Sequence, residues 1–248
     1  HERAHTHRDR GRRDTFAPQR VGVTALRDQL EIDTLIAGAK ALDIALVESD
    51  VFSLLDFLDR FYSWNRYGGF TRIPREHGVR LHLLDSLSVV NDLADAVSIT
   101  DLGTGGGMPG IPLALVLRGS EFTLVESRGR RCTFLREVVR DYGLGSRVRV
   151  LEGDAWDLAR GAKRFDAVLG RAFLPPRELL VLGSQLIAAG RIIVMGSDED
   201  WIRGPAIADL LNDLGIELRS DRTLVLPGGE ETRRVFRFER RRQVECFT

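Results

Sequence analysis

Residues 97–112 hold the chain's densest chemical pattern. An apolar-alternating run, Val97-Ser98-Ile99-Thr100, ends on Asp101, and Gly103, Gly105, Gly107 and Gly110 follow at short spacing. Leu113-Ala114-Leu115-Val116-Leu117 then continues as an apolar stretch that can form a helix. The pattern predicts a strand, a tight glycine turn and a helix. Glycines let backbone approach a ligand with no Cβ in the way, and a helix start offers unpaired N–H groups. A nucleotide-like ligand fits such a unit.

Two cofactor chemistries share this outline, and a purely structural turn is a third reading. Gly105-x-Gly107-x-x-Gly110 satisfies the dinucleotide fingerprint, with Glu126 suitably downstream to hold a ribose. Asp101-x-Gly103-x-Gly105-x-Gly107 satisfies the pattern of S-adenosylmethionine (SAM) methyltransferases, in which an acid ends the first strand and the loop wraps the cofactor's amino-acid end.

The elements that must position this loop follow from hydrophobic spacing. Apolar residues at helical intervals predict one helix from Thr24 to Val47 and a second after Ser49-Asp50, with Leu54, Leu55, Leu58, Phe61 and Trp64 on one face. A breaker segment at 67–74 precedes a third expected helix, Arg75 to Leu93, which carries His82 and Asp85 three residues apart. After the glycine turn, strands are expected at 122–126, 147–152, 165–169 and 190–196. Helices are expected at 130–142, from Arg177, and at 205–214. A hairpin of 216–226 and 233–239 turns at Pro227-Gly228-Gly229. This alternation implies an α/β fold, a mainly parallel Rossmann-like sheet with helices on both faces and an antiparallel terminal pair. The expected division is a disordered basic tail at 1–20, a helical appendage at 21–95, a cofactor-binding domain at 96–242 and a tail at 243–248.

Strand ends favour SAM over a dinucleotide. Ligands of open α/β sheets sit beyond the strands' carboxyl ends. Those ends carry Asp101, Glu126 and Asp154, and an acid after the third strand suits the adenine amino group of SAM. A dehydrogenase needs a proton-transfer group such as His, and no histidine follows His82. The acceptor is narrowed by elimination. Neither Cys132 nor Cys246 follows the fourth strand, where a C5-pyrimidine enzyme needs its nucleophile. Leu174-Pro175-Pro176-Arg177 lacks the polar head and aromatic of an exocyclic-amine enzyme. A ring nitrogen with a free lone pair, such as guanine N7, needs no base, so positioning can supply most of the acceleration.

Composition sets the outer limits. The 248 residues are 43% hydrophobic and 29% charged with formal net charge +0, ordinary for a globular protein that buries a core. The chain as a whole is therefore no electrostatic polyanion binder. Lys40 and Lys163 are the only lysines, and arginine is the better group for bidentate phosphate contacts. Five arginines lie within the first 13 residues, a segment that starts at His1 rather than Met and reads as a truncated or processed end. The longest apolar runs are too short to span a bilayer, no signal peptide is seen, and the cysteines have no metal-ligand spacing. A cytoplasmic monomer with no membrane contact and no metal is expected.

Motifs in order along the chain carry a more specific resemblance. Trp64-Asn65 precedes Phe70-Thr71, then His82-x-x-Asp85-Ser86-Leu87, then Asp101 to Pro112, then Arg131-Cys132-Thr133-Phe134-Leu135-Arg136, then Arg171-Ala172-Phe173. Over about residues 30 to 240 the sequence resembles the RsmG (GidB) family of bacterial small-subunit rRNA methyltransferases, with Met108-Pro109-Gly110-Ile111-Pro112 its most specific stretch. The resemblance implies N7 methylation of a guanine in the 530 loop of 16S rRNA, free or within the 30S subunit, with SAM as donor. It places cofactor contacts on Gly103, Met108, Ala155, Trp156 and Arg171. Asp101, Glu126 and Asp154 join them from the sheet argument, and Gly105 and Gly107 from the glycine pattern. Arg171 is expected to position base and cofactor, with His82 and Asp85 either lining the base pocket or bonding helix to sheet. Arginines at 128–140 and 233–242 are candidates for rRNA phosphates. The sequence departs from the family pattern at Gly69, Gly170 and Met195, each removing a polar group. Those departures keep a non-catalytic SAM- or rRNA-binding relative as the alternative, with an NAD-dependent oxidoreductase behind it.

Overall fold

The computed structural model describes residues 29–196, 200–202 and 205–241. The expectations for residues 1–28, for Arg242, for Cys246 and for the tail at 243–248 lie outside the described residues. The chain opens with helices α1 (Gln29–Ala41) and α2 (Glu48–Gly68). A 3-10 turn (Arg75–His77) and a π-helical stretch (Val79–Leu84) follow, then short helices α3 (Asp85–Leu87) and α4 (Val90–Leu93). The sheet region alternates β1 (Ser98–Leu102), α5 (Gly110–Val116), β2 (Glu121–Glu126), α6 (Gly129–Asp141) and β3 (Val148–Glu152). It continues with α7 (Ala155–Ala159), β4 (Phe165–Arg171), α8 (Pro176–Leu186) and β5 (Ile187–Gly196). Helix α9 (Pro205–Asp213) and the hairpin β6 (Ile216–Val225) and β7 (Thr232–Arg240) complete it.

Three helical expectations need correction. The helix predicted to run to Val47 ends at Ala41, because Asp43 takes a left-handed φ of 58° and the chain then extends into α2. The helix predicted over 75–93 is four short pieces. Ser86 Oγ donates back to His82 O at 2.6 Å and Ser88 Oγ to Asp85 O at 2.7 Å, hydroxyl bonds that compete with a regular ladder. Helix α7 was not expected; Asp154 caps it by accepting from Trp156 N at 2.9 Å.

The seven strands run in the order β3-β2-β1-β4-β5-β7-β6, with β1 to β5 parallel and β7 antiparallel to both neighbours. The order in which strands are added reverses between β1 and β4, and this switch point opens a crevice at the carboxyl ends of the strands. Leu102 pairs with Gly170, so the glycine loop and Arg171 leave the sheet side by side.

Side chains alternate between two cores. Ala167, Leu169, Ile193, Met195 and Val235 point to the face covered by the N-terminal helices, α5 and α6. Val168, Ile192, Val194, Phe236 and Phe238 point to the face covered by α8 and α9. Leu35, Leu54, Phe57 and Leu84 of the N-terminal helices are fully buried in the first core, which ties that region to the sheet through apolar burial. No helix of the described residues is long and apolar enough to cross a membrane.

Candidate active site

The loop after β1 is held from below by one carboxylate. Asp101 is 1% exposed, and its Oδ2 accepts from Thr104 Oγ1 at 2.6 Å and from Gly110 N at 2.9 Å. One oxygen thus fixes the loop's start and the first residue of α5. Its Oδ1 is buried without a partner. Burial pushes the Asp101 carboxyl up to about 6, against the pull of those two hydrogen bonds. Gly103 has φ of 63°, where a side chain is strained, and a Cβ there would overlap the Phe173 ring. Phe173 follows Ala172, itself a non-glycine residue with φ of 51°.

Glu126, 5% exposed at the end of β2, faces the same loop. It accepts from Gly105 N at 3.0 Å and Arg128 N at 2.9 Å, and Arg131 Nη1 lies 3.5 Å away. Gly153 N donates to Glu126 O at 3.1 Å, which sets Asp154, Ala155 and Trp156 next to Glu126 along the sheet edge.

Beside the loop lies a cavity of about 510 Å³, within the range of small-molecule sites. The structure brings His82, Asp85, Gly103, Gly105, Met108 and Arg171 to its lining. Asp101, Gly107, Glu126, Asp154, Ala155 and Trp156 lie outside that lining: Asp101 beneath the loop, Gly107 turned against Ile111 and Leu135, and the others toward β2 and β3. The site has members that the sequence reading noted but did not assign to it, and Trp201, which it did not name. Phe61, Phe70, Thr71, Met195 and Trp201 also line the cavity. Gly106 signals two of them, since a Cβ there would lie 2.5 Å from the Phe61 ring and 2.8 Å from Phe70.

Two arginines expected to face rRNA turn inward. Arg131 is 17% exposed, donates to Gly69 O at 3.0 Å, and buries an unpartnered Nε. Arg233, 22% exposed, donates from Nε to Asp85 Oδ1 at 2.5 Å. Asp85 Oδ2 accepts from Arg171 Nη1 at 2.7 Å, so the carboxylate holds two guanidinium groups. Of the other expected phosphate contacts, Arg136 pairs with Glu152 at 3.0 Å, Arg234 with Asp221 at 2.5 Å, and Arg240 donates to Leu214 O and Ile187 O. Arg128 and Arg130 remain exposed.

His82 is 2% exposed and packs its ring 5.1 Å from Phe61 and 5.9 Å from Tyr62. Neither ring nitrogen has a partner. Burial, aided by the charge of Arg171, lowers its pKa to about 3 and keeps it neutral. Ser86 Oγ touches Met108 Sδ at 3.7 Å, joining the His82–Leu87 block to the glycine loop.

The departures have local explanations. Gly69 is the left-handed cap of α2 with φ of 57°, a position that Gly and Asn both tolerate. A Cβ on Gly170 would collide with the end of Leu179. Met195 is 3% exposed in the core next to the cavity.

The glycine loop, with a cradle that a side chain would fill, and the polar-apolar cavity beside it fit an amphipathic nucleoside such as SAM. Comparison with known proteins agrees with that fit. A solved SAM-bound magnesium protoporphyrin IX methyltransferase from Synechocystis PCC 6803 has TM-score 0.54 at 17% identity, over 79% of this chain and 99% of that one. That likeness shows the class I methyltransferase fold. The ribosomal RNA small subunit methyltransferase G of Stenotrophomonas maltophilia (strain K279a) is 41% identical over 143 residues, 57% of this chain and 66% of that protein. The protein of the same name from Marinobacter nauticus is 32% identical over 213 residues, 83% of this chain and 94% of that one. The family model described as GidB, rRNA small subunit methyltransferase G, matches residues 51–200, well over half of the chain. The chain belongs to the rRNA small subunit methyltransferase G family.

Proposed function

We propose that this protein transfers the methyl group of SAM to N7 of a guanine in the 530 loop of 16S rRNA, acting in the cytoplasm as a single chain. The observation that carries this reading is the character of the cavity's ionisable groups. Both Asp85 oxygens are taken by guanidinium groups, and His82 is a very weak base. Among the described lining residues the one carboxylate is thus engaged by two arginines, and the one imidazole is kept neutral by burial. Guanine N7 attacks with a free lone pair and loses no proton, so it needs no base.

When bound, SAM supplies an electrophilic methyl group and leaves as the neutral thioether. The chain's residues perform the rest by orientation. The backbone of Gly103 and Gly105 lines the cofactor side, and Asp101 fixes that loop by its bonds to Thr104 and Gly110. Glu126, with Asp154, Ala155 and Trp156 on the adjoining edge, is assigned the ribose and adenine end. Arg171 and His82 line the acceptor side, where Phe61 and Phe70 supply flat apolar surface. Keeping His82 neutral avoids adding a charge beside a purine ring that becomes cationic. In-line positioning of this kind is worth roughly 7–11 kcal/mol.

Titration calorimetry with SAM and with NAD tests the cofactor assignment. SAM is expected to bind and NAD not, and Gly103→Val is expected to abolish SAM binding. NAD binding without SAM binding would return the glycine loop to the dinucleotide reading.

A further inference from the structure

One charged cluster in the cavity extends beyond Arg171, the member already assigned to the cofactor and base. Asp85, 1% exposed, holds Arg171 from the end of β4 and Arg233 from β7. Two positive charges against one negative leave a surplus of one at this wall. A buried carboxylate needs a partner to offset its desolvation, and Arg171 already provides it. Arg233 is therefore more than charge balance requires.

The geometry gives the surplus charge a direction. Each guanidinium carries five N–H donors, and Arg171 and Arg233 each spend one on Asp85. The remaining donors belong to side chains that are 19% and 22% exposed and line the cavity. Pinning by Asp85 orders both forks beforehand, which lowers the entropy cost of gripping a ligand. An anion with several acceptor oxygens matches such a pair of forks. On the loop side, by contrast, Arg131 is balanced by Glu126 at 3.5 Å. In the strand order β7 lies three positions from β1, about 14 Å at the usual strand spacing. Arg233 thus enters from the hairpin side of the cavity, with Arg171 between it and the glycine loop, on the side given to the acceptor.

We propose that Arg171 and Arg233, held together by Asp85, form the seat for a backbone phosphate of the nucleotide being methylated. The inference rests on the rRNA methyltransferase reading. Arg233 lies beyond residues 51–200, so the family match does not assign it.

The test compares the full-length wild type with Arg233→Gln and Arg233→Lys. Salt dependence is read from binding of a fluorescein-labelled RNA hairpin carrying the 530 loop. Kinetics are read from methyl transfer to 30S subunits, and SAM affinity from calorimetry. For Arg233→Gln the slope of log affinity against log salt is expected to shrink by about one. KM for the subunit should rise about tenfold while SAM affinity stays within about twofold. Arg233→Lys, which keeps the charge and loses the fork, should retain the slope and still raise KM. An unchanged slope in Arg233→Gln with only a lower Tm would make Arg233 a structural tie and overturn the seat. Weakened SAM binding with an unchanged slope would assign the seat to the cofactor's carboxylate and overturn it equally. If Arg233→Gln does not fold, an unchanged KM in Arg233→Lys overturns it. A wild type that binds the hairpin yet methylates no rRNA would defeat the parent reading instead.

Discussion

Two buried side chains carry the sharpest expectations. His82 combines near-complete burial with two unpartnered nitrogens, a state that costs about 1–3 kcal/mol per unsatisfied group. Core packing alone would favour an apolar ring there. His82→Phe is expected to leave Tm unchanged or higher while lowering methyl transfer about tenfold or more, measured by thermal melting and single-turnover kinetics. Full activity in that variant would make His82 a packing residue. Asp101 yields a pH dependence. Its folded pKa of about 6 lies above the ordinary aspartate value, so between about pH 4 and 6 the folded state holds the proton that the unfolded state has lost. Stability therefore falls as pH rises through that window, by an amount on the order of 3 kcal/mol. Asp101→Asn cannot ionise and keeps an acceptor for Thr104 and Gly110, so its Tm relative to wild type should climb from pH 4 to 7. A difference that does not vary with pH would refute the burial account. The placement of Asp101 and Glu126 at the ends of β1 and β2, with the glycines in the turn between β1 and α5, was readable because residue type and spacing suffice. The convergence of Asp85 with Arg171 and Arg233 was not, since these pairs lie 86 and 148 residues apart and meet only through strand order.

At the scale of elements, the segment after α2 shows how a short sequence motif becomes a wall of the site. Asn65 Oδ1 accepts from Phe70 N at 2.7 Å and Thr71 N at 2.9 Å, and its Nδ2 donates to Thr71 O at 2.9 Å. This one amide fixes the strap that brings Phe70, Thr71 and Ile73 to the cavity. Asn65→Ala removes all three bonds, a loss of roughly 2–4 kcal/mol. It should lower both Tm and SAM affinity and open the strap to proteolysis between Arg66 and Arg72. Unchanged values would mean that the strap is held by its apolar contacts alone. The spacing of Trp64-Asn65 and Phe70-Thr71 was visible in the sequence, but its meaning as a cap-and-strap was not. The π-helical stretch was equally hidden. Apolar spacing over 75–93 fits one regular helix, and the break depends on hydroxyl bonds from Ser86 and Ser88 that periodicity does not register.

Across the whole molecule, the N-terminal helices and the sheet share one apolar core, while α8 and α9 close the other face. The terminal hairpin is tied back to the N-terminal region by charge pairs, Arg80 with Glu231, Asp85 with Arg233 and Asp92 with Arg222. The cavity lies where these parts meet at the β1–β4 switch point, so its floor comes from the sheet and its walls from the helices and hairpin. Alternating strands and helices were legible because their hydrophobic periods differ. Strand order and the inward turn of Arg131 and Arg233 depend on contacts that no local pattern records. The most direct test of the account is methyl transfer from radiolabelled SAM to 16S rRNA in 30S subunits that lack the modification, with the product mapped by cleavage at 7-methylguanine. One labelled 7-methylguanine in the 530 loop is the expected result. Label on any other atom or base, or none on any rRNA substrate despite SAM binding, would contradict it.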